Sequence, residues 1–160
     1  MAKIAVLLLG LALVLAFGCQ QKAELPKVDI GIERETIKTV LDNYISSIEN
    51  EDMAAYGLVM AHDPQMINFG VSGDPIVGWD SLKKVIEDQN AALSQTTIVA
   101  TDVSVHVAPS GELAWATSLW TFKAVMGDKA IELPVRCTWV LEKQADGWVI
   151  VHFHKSIATG

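Results

Sequence analysis

The sequence predicts an α+β domain in which helices pack on one face of a curved, mostly antiparallel sheet. Three observations carry this expectation. Apolar residues recur at intervals of three and four through the first half of the chain, the period switches to two after Ser94, and the last segment, Trp148 to Ser156, is apolar on both of its alternating sets. A strand of that last kind needs cover on both faces.

From Glu33 to Asn50, Ile37, Val40, Leu41, Tyr44, Ile45 and Ile48 form one apolar helix face, with Glu33, Arg34, Lys38, Asp42 and Glu49 opposite. A shorter helix from Asp52 to about Val59 turns Met53, Tyr56 and Val59 inward, and His62-Asp63-Pro64 ends it because a residue before proline leaves the helical region. Met66 to Gly70 reads as a short strand and Ser72-Gly73-Asp74-Pro75 as a turn. A third helix after Trp79, capped by Asp80 or Ser81, carries Leu82, Val85, Ile86 and Leu93. Then Val99, Val103, Val105 and Val107 alternate with polar residues along a first long strand. Turns at Pro109-Ser110-Gly111, Gly127-Asp128 and Asp146-Gly147 separate three more, Leu113 to Met126, Ala130 to Glu142 and Trp148 to Ser156. Pro134 cannot donate to a ladder and marks a bulge or an edge. In the last strand, alternation places Trp148, Ile150, His152, His154 and Ser156 on one face and Val149, Val151 and Phe153 on the other.

The amino end has its own grammar. One lysine precedes an apolar run from Ile4 to Phe17, which is shorter than the about 20 residues of a membrane span and reads as a secretory leader over residues 1–18. Cys19 after Gly18 resembles the lipidated cysteine of bacterial lipoproteins, although Ala16 stands where that family usually has leucine. Export to the cell envelope with a lipid anchor at Cys19 is the expectation, and Ala16-Phe17-Gly18 leaves ordinary secretion as the alternative. Residues 19–32, with Pro26 and Gly31, read as a tether ahead of a single domain over residues 33–160. The net charge of −7 argues against nucleic acid as a partner. Cys137, between Arg136 and Thr138, reads as a small buried hydrophobe, and no metal or cofactor motif is present.

The order of elements resembles the nuclear transport factor 2-like superfamily. The residues that carry the likeness are Gly147-Trp148 with Val151-His152-Phe153-His154-Lys155-Ser156, Phe69-Gly70, Gly78-Trp79 and Val135-Arg136-Cys137-Thr138. The likeness is to SnoaL-like domains and to the association domain of calcium/calmodulin-dependent protein kinase II. It implies a conical fold, homodimers through the sheet and an open pocket between sheet and helices, without implying one function.

Candidate site residues follow from their chemistry. Arg136, mid-strand, suits a bidentate grip on a carboxylate in an apolar pocket, with an internal ion pair or an outward-facing arginine as the alternatives. His152 and His154 share a predicted face and read as pocket or core histidines; a metal would need a third ligand that no spacing supplies. Trp120, Tyr44 and Tyr56 are candidates for aromatic walls. Asp63, between His62 and Pro64, is a candidate base whose ordinary role at a helix end is capping or turn formation. The sequence thus points to a pocket for a small, anionic molecule. An oligomeric association module and an isomerase-, cyclase- or dehydratase-like enzyme are the alternatives.

Overall fold

The computed structural model describes residues 28–157. The leader and Cys19 lie outside the described residues. Helix α1 spans Ile30–Glu49 and starts earlier than its apolar periodicity suggests, because Asp29 caps it: Oδ1 accepts from the backbone N–H of Gly31 and of Ile32. The end of the expected tether is therefore helical. Ile37, Leu41, Tyr44 and Ile48 form its buried stripe. Asp52 caps α2, Met53–Val59, in the same way.

Two short strands follow, β1 (Ile67–Asn68) and β2 (Ile76–Val77), paired antiparallel. The second has no signal in the sequence, since two residues between Pro75 and Gly78 carry no period. Helix α3, Trp79–Ala92, is capped by neither Asp80 nor Ser81 but by Gly78, with no side-chain cap bond. Gly78 has a φ of +81°, and a Cβ there would meet the Pro64 carbonyl oxygen at 2.8 Å. Only glycine satisfies both demands.

The long strands are β3 (Ser94–Val107), β4 (Leu113–Met126), β5 (Lys129–Gln144) and β6 (Gly147–Ile157), hydrogen-bonded in that order and all antiparallel. The free edge of β6 is covered: the stretch from Met60 to Phe69 runs parallel to it, with Ala61 donating to Ile150 and Lys155 donating to Phe69, each at 2.9 Å. Pro134 pairs with Thr121 of β4 and lies one residue beyond Val135↔Ile157, the last β5–β6 pair among the described residues.

Bulges decide which side chains face the helices. In β6, His152 pairs with Val140 and Ile150 with Leu141, so Val151 is an extra residue. Ile150 is buried, and after the bulge Phe153 and Lys155 turn inward while His154 is exposed. This corrects the expected grouping of Ile150 with both histidines. A second shift lies between Thr101 and Ser104, where Asp102 has a φ of +52°. Ile98 is buried before it and Val105 after it, whereas Val99 and Val103 are exposed, so the four expected valines do not share a face. The core between sheet and helices is strongly aromatic, with Trp139, Tyr44, Tyr56 and Phe153 its largest fully buried side chains.

Candidate ligand-binding site

A cavity of about 210 Å³ opens between the sheet and the carboxy-terminal half of α3. Phe122, Leu133 and Ile98 form its sheet wall, and Ile86 and Leu93 its helical wall. Val71 and Val85, both exposed, stand at the rim. Trp120, Phe153 and Lys155 close the inner end. Among the described residues no Asp, Glu or His lines it, and the polar side chains are Gln89 and Lys155, apart from the indole of Trp120.

Lys155 is the residue the sequence reasoning missed. The β6 bulge turns it inward opposite Cys137, its Cα partner on β5. Its Nζ lies 4.8 Å from the ring centre of Phe153, 5.0 Å from that of Trp120 and 5.2 Å from that of Tyr44. Among the described residues it has neither an ion-pair partner nor a side-chain hydrogen bond. The residue as a whole is half-buried, and desolvation of its amine among the rings holds it below the ordinary lysine value. Ring faces favour the ammonium by about 2 kcal/mol when desolvated, while the loss of hydration costs several kcal/mol per ion; the second effect is the larger. The acidic groups around it among the described residues bring no counter-charge. Burial raises the phenols of Tyr44 and Tyr56 and pushes the Cys137 thiol up to about 12, so all three stay neutral.

The structure divides the expected site residues into two groups. Tyr44, Tyr56 and Trp120 come together beneath Lys155: ring centres are 5.4 Å apart for Tyr44 and Tyr56 and 6.2 Å for Tyr44 and Trp120. Trp120 lines the cavity, and the two tyrosines pack behind it. The hydroxyls of both and the indole N–H of Trp120 are buried without a hydrogen-bond partner among the described residues.

Arg136, His152 and His154 belong elsewhere. Arg136 is exposed on the outer face of the sheet, where Leu119 and Ser156 flank it in register, and its Nη2 donates to the carbonyl of Ile157 at 3.2 Å. Its outward direction follows from Val135 and Cys137, which take the inward positions on either side. His152 Nδ1 donates to the Ile67 carbonyl, and His154 sits edge-on to Phe69. Asp63 is exposed in the turn before β1, accepting from the N–H of Gln65 at 2.7 Å, which is a turn-forming role rather than that of a base in the cavity.

A sequence model of the SnoaL-like domain matches residues 37–160. The chain belongs to the SnoaL-like domain family. Solved structures agree on its fold. A nuclear transport factor 2-like superfamily protein from Salmonella enterica is 23% identical, with a TM-score of 0.74 over 81% of this chain and 94% of that one. A ketosteroid isomerase-like protein from Erwinia carotovora is 17% identical, with a TM-score of 0.67 over 80% and 98%. A candidate calcium/calmodulin-dependent protein kinase II association domain from Xanthomonas campestris is 17% identical, with a TM-score of 0.65 over 76% and 85%. No curated protein matches this SnoaL-like chain significantly. At these identities the solved structures establish the conical α+β fold and nothing about chemistry.

Proposed function

We propose that this SnoaL-like domain binds a compact, largely apolar molecule whose end carries a hydrogen-bond acceptor, a carboxylate being the closest match. The observation that supports it is Lys155: a cation without a counter-ion among the described residues, at the inner end of an apolar cavity. The cavity is smaller than the about 300–1,000 Å³ of drug-sized sites, which favours a short chain or a single ring. A carboxylate on Lys155 restores the charge pairing that burial of the amine lacks. An isomerase-like reading has no support from the lining, because among the described residues no carboxylate or histidine reaches it to act as a base.

Titration of tryptophan fluorescence with hexanoate and with hexanol tests the proposal. Hexanoate is expected to bind at least about tenfold tighter to the native protein than to Lys155→Met, the worth of one charge-assisted hydrogen bond. Equal binding to both forms, or no binding of either six-carbon probe, overturns it.

We further propose export by the leader and lipid attachment at Cys19, supported by the lipobox-like order of residues; Cys19→Ser abolishing incorporation of a labelled fatty acid is the expected result. Self-association through the outer sheet face is supported by a separate observation. Val99, Trp115 and Leu119 are 58%, 45% and 47% exposed there, an apolar patch on the outer face.

A further inference from the structure

The inner end of the cavity is a primary amine, and its surroundings decide what that amine does. Its stem is fixed by the register of β6 against β5, with Lys155 opposite Cys137. Three aromatic rings, those of Phe153, Trp120 and Tyr44, surround Nζ at 4.8–5.2 Å and leave its remaining approach through the cavity. The titratable groups packed around it come from three elements, Tyr44 of α1, Tyr56 of α2 and Cys137 of β5, and each is neutral. Among the described residues no carboxylate lines the cavity to hold the ammonium form.

We propose that Lys155 is a covalent attachment site for small aldehydes or ketones, which it captures reversibly as an imine. This rests on the reading of the cavity as a small-molecule site and narrows its ligand class to carbonyl compounds. The chemistry balances without a cofactor. The Nζ lone pair bonds to the carbonyl carbon, and the proton that nitrogen loses passes to the carbonyl oxygen, giving a carbinolamine. The hydroxyl then departs with the second nitrogen proton as one molecule of water, leaving a carbon–nitrogen double bond. The attacking species must be the neutral amine, and desolvation in an apolar pocket is a known way to provide it; the lowered amine value agrees with that. The apolar walls also keep water, the reagent of the reverse step, at low concentration beside the imine.

The test uses the full-length protein with hexanal and cyanoborohydride at pH 7, so that any iminium is reduced to a stable secondary amine, followed by peptide mapping. A hexyl group on Lys155, acquired about twofold or more faster than on exposed Lys38 or Lys129, is the expected result, because a lowered amine value raises the neutral, nucleophilic fraction. Lys155→Met should lose that adduct and keep the slow background. Labelling of Lys155 no faster than of the exposed lysines, with hexanoate still bound, overturns the imine and leaves the binding site standing. Failure of both hexanal and hexanoate to engage the cavity overturns both readings. The mapping in the native chain decides the matter even if the variant does not fold.

Discussion

Lys155 sets stability against function. Its amine is lowered by burial, so between the folded value and the ordinary value of 10.5 the unfolded chain binds more protons than the folded one. Stability therefore rises with pH through that window. Lys155→Met should stabilise the domain by about 1–2 kcal/mol at pH 7, with a margin that narrows towards pH 10; denaturant melts at the two pH values measure it. Glu33 behaves in the opposite sense. It is bonded to Lys143 and to the Trp148 indole, each at 2.6 Å, and these two bonds hold its carboxyl below the usual 4.5. Its contribution is complete above 4.5 and is lost as pH falls through the lowered value. Glu33→Gln should cost about 1 kcal/mol at pH 7 and almost nothing well below pH 4, again read from denaturant melts. Arg136→Ala, by contrast, should leave hexanoate binding within about twofold, since its guanidinium stands on the other side of the sheet.

At the scale of elements, periodicity is a sound guide to where each long strand and each helix lies, and it fails at two single residues. Val151 and Asp102 each sit where the ladder slips, and neither residue type announces a bulge. A slip of one residue exchanges inside for outside. Beyond Val151 the alternation inverts, so Lys155 meets the cavity and the histidines face away from it, whereas Arg136 points outward by the unbroken alternation of β5. The aromatic residues are legible because they lie on α1, α2 and β4, whose inward sets are undisturbed: Tyr44, Tyr56 and Trp120 are all buried as their periods require. The register can be tested by transplanting the charge. The double variant Lys155→Met with Ser156→Lys keeps an amine in this part of β6 but puts it outside, and it should bind hexanoate no better than Lys155→Met alone. At the entry to α3, Gly78→Ala should destabilise the domain by about 2 kcal/mol, since it combines a positive φ with a clash against the Pro64 backbone; thermal melts give the measure.

For the whole molecule, the two faces of the sheet have separate tasks. The inner face supports the aromatic core and the cavity, and the outer face carries Trp115 and Leu119 beside Arg136. If the outer patch joins two copies, Trp115→Glu should convert a dimer to a monomer in sedimentation while leaving hexanoate affinity within about twofold, because the sites are on opposite sides of one layer. The two ends of the sheet differ as well. Val28 lies against Gly111 in the β3–β4 turn, and Glu33 is bonded to Lys143 and Trp148 beside the β5–β6 turn. The cavity lies at the opposite end, with Ile131 and Leu133 after the β4–β5 turn, and β6 carries Lys155 to its lining there. A surface that grips the domain at the Val28 end of the sheet thus leaves the ligand's doorway, at the other end, facing open solution.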